Sequence, residues 1–198
     1  MAKRSASKPQ KNAAPEPARQ PDLLENLECS EAAAVLKEIL VAHPELRSEA
    51  EAIARDVLGE VSFLSIAEEV EDSLRQLDYD DLNGRAGRHS WGYTEPSEAA
   101  WELLEEVIEP QASELKRHLA LGLKKEALAI CQGLILGLYR VRNGAGGEVL
   151  GWAPDFAGDA ASNVLEQWIA AGGSSLSPDF VAQYLPEWPW VAHPNRGR

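Results

Sequence analysis

The residues best equipped for chemistry lie together in one stretch, LDYDDLNGRAGRHSWGYTEP, at positions 77–96. Asp80, Asp81, Arg85, Arg88 and His89 are acid–base and anion-binding types on what reads as a loop, where functional groups gather. The glycines of the NGRAGR segment (83–88) would free backbone N–H groups to meet a phosphate. Yet the stretch is neither a P-loop nor a dinucleotide fingerprint: it has no Gly-Lys-Ser/Thr ending and no strand precedes it. A catalytic reading requires His89, Asp80 and Arg88 to converge around a pocket. A plainer reading uses the same residues as structure. Asn83-Gly84 is then a turn, Tyr79, Trp91 and Tyr93 pin the loop to the body, and Arg85 and Arg88 pair with Asp78, Asp80 or Asp81. The sequence favours the structural loop first. A partner-binding loop built on Arg85, Arg88, His89, Trp91 and Tyr93 comes second, and a catalytic centre last.

The other reactive side chains are scattered. His43 stands before Pro44, His118 follows Lys116 and Arg117 on an expected helix surface, and His193 lies in the terminal AHPNRGR. None has a second ligand at metal spacing, so no metal, cofactor or catalytic residue is assigned. Cys131 falls in an apolar helix and reads as a small hydrophobe. Cys29, at the start of the first helix, is flanked by Glu28 and Glu31, which oppose thiolate formation. The C-terminal part is aromatic, with GWAPDF at 151–156 and YLPEWPW at 184–190. These aromatics cap the open end of the helical stack, or Trp188 and Trp190 stand out as partner anchors.

Composition narrows the classes. The two cysteines fit neither a disulfide framework nor a zinc site, which points to a reducing compartment. The first residues lack the apolar core of a signal peptide, and the longest apolar run, 127–139, is too short to span a bilayer. The expected location is cytoplasmic, with no membrane partner. Residues 1–21 carry five basic side chains against Glu16, a balance of +4, so the rest of a chain of net charge −13 carries −17. Such a body repels nucleic-acid phosphate, leaving the basic tail as the one route to nucleic acid or to an acidic partner.

Nearly all the remainder reads as helix. Ser30 is placed to cap a helix whose Ala33, Leu36, Ile39 and Leu40 recur at three- and four-residue spacing. HPELRSEAEAIARDVLG starts at Pro44 and stops at Gly59. Phe63, Ile66, Ala67, Val70 and Leu74 line one face of a third helix. Beyond residue 96, Ala100, Leu103, Leu104 and Val107 make a stripe, and Pro110 divides it from the next helix. The segment around Leu134–Tyr139 is apolar on almost every side and should be the central helix, with Gly133 and Gly137 letting a neighbour approach. Val164, Leu165, Trp168 and Ile169 face inward from a later helix, and Ser177-Pro178 begins a short one. No run shows sustained period-two alternation, so no sheet is expected. The fold class is all-α, antiparallel helical hairpins forming a small repeat-like bundle over 22–190, between a disordered tail at 1–21 and a flexible one at 191–198.

One resemblance follows. In LGLKKEALAICQGLILGLYRV (121–141), Gly122, Glu126, Ala127 and Leu128 are similar to one helical pair of a tetratricopeptide- or HEAT-type repeat. The body from about 30 to 172 also resembles bacterial α-helical-repeat proteins. The resemblance implies a scaffold offering a groove to another protein, and carries no catalytic residues with it. The expected function is protein–protein interaction by a helical adaptor. The alternatives are a regulatory module acting through its basic tail, and a small-molecule or enzymatic site around His89.

Overall fold

The computed structural model describes residues 23–194 apart from 91, 145 and 146. The basic segment 1–21, Trp91 and the last four residues lie outside the described residues. The chain divides into two compact units, Met1–Glu51 and Ala52–Arg198. Among the described residues there are eight α-helices and one two-stranded hairpin: α1 (Cys29–Ala42), α2 (Arg47–Leu58), α3 (Phe63–Gln76), α4 (Tyr79–Arg85), β1 (Gly87–His89), β2 (Gly92–Thr94), α5 (Pro96–Ala120), α6 (Lys124–Val141), α7 (Phe156–Ala170) and α8 (Pro178–Tyr184). The fold is all-α. No helix of the described residues is long and apolar enough to cross a membrane.

In the second unit α6 is the axis. Ile130, Cys131 and the whole run Gly133–Tyr139 are buried, and α3, α5 and α7 all pack on this one helix. That burial on every side explains why its sequence lacks a polar face. The closest approach is to α3. A Cβ at Gly133 would lie 2.6 Å from the Ile66 Cβ and 2.7 Å from the Phe63 carbonyl; one at Gly137 would lie 2.8 Å from the Val70 Cβ. Two glycines four apart therefore let α3 settle directly on the α6 backbone, as their spacing predicts. The opposite case occurs in α7. Nothing lies within 4 Å of a Cβ at Gly158. Gly158→Ala should accordingly raise stability by about 1 kcal/mol, the helix-propensity difference alone, readable as a higher urea midpoint.

Residues 121–141 form a turn and one uninterrupted helix, so the hairpin partner of α6 lies outside that stretch and is α5. Gly122 (φ +74°) takes the left-handed conformation that ends α5, and the Leu123 N–H donates back to the His118 carbonyl.

Three expectations are corrected in and around α5. The helix runs unbroken through Pro110, although proline removes the N–H that would bond the Glu106 carbonyl. Pro110 is exposed, so water can serve that carbonyl, while Leu103, Leu104, Ile108, Ala112 and Leu115 bury on both sides of it and hold one continuous stripe. His118 is not on a surface. It is 4 % exposed, three residues beyond Leu115 on the same stripe, with Nδ1 2.9 Å from the Glu114 carbonyl it donates to. The first helix is capped by Glu28 rather than Ser30: Glu31 accepts from the Glu28 N–H at 3.0 Å in a reciprocal capping box.

The C-terminal end is pinned by rings. Phe63 meets Phe180 and Tyr184 edge-on, and Trp188 meets Tyr139 edge-on at 5.2 Å. Of the segment expected to be flexible, 191–198, residues 195–198 lie outside the described residues. Pro189–Ala192 forms a short 3-10 turn that drives Val191 and Ala192 into the core.

Candidate functional site

The 77–96 stretch is a capped helix followed by a hairpin, not a loop. Asp78 Oδ1 accepts from the N–H groups of Asp80 (2.8 Å) and Asp81 (3.1 Å), and Asp81 accepts in return from the Asp78 N–H at 3.0 Å. This reciprocal box starts α4, and buried Leu82 fastens the helix to the core. A D-x-x-D signature was present in the sequence to announce it. Two of the three acids expected to pair with arginine, Asp78 and Asp81, are thus spent on capping. Arg85 instead forks onto Glu106 of α5, with Nη1 at 2.7 Å from Oε1 and Nη2 on Oε2. Each partner favours the other's charged form: Arg85 rises above its ordinary value, and Glu106 falls below the usual carboxylate range through the hydrogen bond to Arg85. The pairing is therefore present above the normal glutamate range and is lost as pH falls below that range, through the lowered Glu106 value.

His89 spends Nε2 on the Arg85 carbonyl at 2.6 Å, closing the C-terminal end of α4. In the antiparallel hairpin Arg88 stands opposite Tyr93, and both are exposed beside a shallow, open depression. Among the described residues no hydrogen bond joins Asp80 or Arg88 to His89, and no group of three His, Cys, Asp or Glu side chains is placed to hold a metal ion. Trp188 and Trp190 lie 5.7 Å apart, half-buried against the core. Arg142 straps this corner, its guanidinium 3.5 Å over the Tyr139 ring while Nη2 reaches Glu187 at 2.6 Å.

Arg85 leads to a feature that the sequence conceals. Because α5 and α7 both lie on α6 and touch each other little, a groove of about 560 Å³ opens between them. Its floor is apolar: Ile108 and Ala112 from α5, and Phe156, Ala160 and Val164 from α7. Trp101 forms one end, edge-on to Phe156 at 5.1 Å, with its indole N–H on Glu105 at 3.1 Å. The lip is acidic. Glu102, Glu105, Glu106 and Glu109 follow at three- and four-residue spacing on one face of α5, and Asp159 joins them from α7. Like charges at that spacing destabilise a helix. Arg85 relieves Glu106 and also feels the charge of Glu102, and Lys116 lies 3.6 Å from Glu109, but among the described residues neither Glu102 nor Glu105 closes an ion pair of its own. The arrangement suits an occupant with an apolar face and positive flanks.

Compared with protein-family models, curated proteins and solved structures, the chain matches none. The groove is therefore interpreted from its own chemistry.

The two cysteines behave oppositely. Cys131 is fully buried, and desolvation pushes its thiol up to about 12 from an ordinary 9.0; Cys29 is exposed. In the native protein a thiol reagent should modify one cysteine quickly, and two only in denaturant. Burial favours the neutral thiol, so folding holds this proton where the unfolded chain has lost it. Stability should then fall as pH rises from 9.0 towards about 12, a slope that Cys131→Ala removes.

Proposed function

We propose that this protein is a helical adaptor, and that the groove between α5 and α7 docks a basic, amphipathic segment of another protein. One observation carries the reading: an apolar floor of about 560 Å³ edged by acids, on rigid helices rather than on a loop. An apolar face laid into such a groove supplies affinity, while lysine or arginine flanks on Glu102 and Glu105 supply orientation and rate. The resemblance to helical-repeat scaffolds agrees with this role. Helix α4 contributes indirectly, since Arg85 at its C-terminal end fixes Glu106 at the lip.

The test is capture from native extract with three forms of the chain. Glu102→Lys/Glu105→Lys should lose the partner held by the unaltered protein, and rising salt should weaken what remains, because exposed charges are screened within about 10 Å at 0.1 M. Arg88→Ala/Tyr93→Ala should keep it. The reverse pattern would move the docking site to the hairpin.

A further inference from the structure

The groove has a direction as well as a chemistry. We infer that its occupant is a helix laid antiparallel to α5 and α7, with its lysines or arginines in its last turns; this rests on the docking role proposed for the groove. The two walls run the same way. They touch where Trp101 meets Phe156, the first residue of α7, and from there both continue at three- and four-residue steps, to Lys116 on one side and Gln167 on the other.

Charge changes along that length. At the Trp101 end stand Glu102, Glu105 and Asp159, beside the Glu106 that Arg85 neutralises. Towards the other end Glu109 is matched by Lys116 at 3.6 Å, and α7 presents the amides Asn163 and Gln167. The cations of an occupant therefore belong at the Trp101 end, and its neutral part at the Lys116 end.

Backbone chemistry selects a helix. Both walls are helices whose N–H and C=O groups are spent internally, so an extended segment on the apolar floor would leave its own unpaired. A helix satisfies its own, and the small Ala112 and Ala160 of the floor admit it closely. From Trp101 to Lys116 the wall is about 22 Å long at 1.5 Å per residue, which matches four turns of an occupant of about 15 residues. The helix dipole then sets the direction. Lysine and arginine are favoured in the last turn of a helix and disfavoured in its first, so the basic end that meets Glu102 and Glu105 is the C-terminal one. Laid that way, the negative end of the occupant also faces the first turn of α7, which opens at Phe156.

The experiment titrates the full chain with two end-blocked peptides of about 16 residues that share one composition and one leucine stripe. One carries its lysines in the last turns and the other in the first, and each bears a photo-crosslinker at its C-terminus. The first peptide should bind about tenfold more tightly, and its crosslinks should fall at the Trp101 end of the groove. Glu102→Lys/Glu105→Lys should abolish that binding at an unchanged melting temperature, because both side chains are exposed. Equal or tighter binding of the second peptide, or crosslinks from the first at Lys116 or Gln167, overturns the inferred direction; loss of binding on charge reversal then leaves docking in the groove standing. Should neither peptide bind, should binding survive the charge reversal, or should the crosslinks fall outside the groove, the docking role fails and the direction with it.

Discussion

Gly133→Val is expected to lower stability by about 3 kcal/mol, the upper end of what overpacking a core costs. A Cβ there already meets the Phe63 carbonyl at 2.7 Å and the Ile66 Cβ at 2.6 Å, and valine adds two methyl groups beyond it. No rotamer relieves a clash with backbone, so α3 must move off α6. That motion also pulls Ala67 and Val70 from Gly137, one turn along. The helix-propensity gain of valine over glycine is only a few tenths of a kcal/mol and does not offset this. Urea denaturation at unchanged slope would read the loss directly. An unchanged midpoint would mean that the α3–α6 contact is not as close as described.

Phe156→Ala should cost about 3–5 kcal/mol, a large share of the roughly 5–15 kcal/mol that holds a domain together. The ring is wholly buried at the start of α7 and takes the edge of Trp101. Removing it empties space under the groove floor and frees the Trp101 indole, so the near-ultraviolet dichroism of the native state should change as well. Trp152→Ala offers the comparison. That indole is 45 % exposed, and its removal should stay within about 0.5 kcal/mol. Equal losses at the two positions would contradict the core placement of Phe156.

The apolar pattern made most of the second unit legible. The stripes of α3, α6 and α7, the close-approach glycines and the Ser177 cap of α8 follow from period and capping chemistry alone. Pro110 misled because a local rule was outweighed by burial on both sides of it. His118 misled because its charged neighbours were read instead of its distance from Leu115. The groove was illegible for a different reason. Glu102, Glu105, Glu106 and Glu109 look like any solvated helix face until α7, some fifty residues later, supplies Phe156, Ala160 and Val164 to its floor. Arg85 was expected to pair with the adjacent aspartates, but its partner is Glu106 in α5.

The most direct test of the groove reading is a photo-crosslinker placed at Asn163, an exposed position on the α7 side of the groove, in the native cell. Mass spectrometry of the joined peptides then reports what lay there. Docking in the groove predicts crosslinks to segments rich in lysine or arginine with apolar residues at three- and four-residue spacing, lost in Glu102→Lys/Glu105→Lys. Crosslinks to acidic or featureless segments, or to the same peptides in the charge-reversed protein, would contradict it.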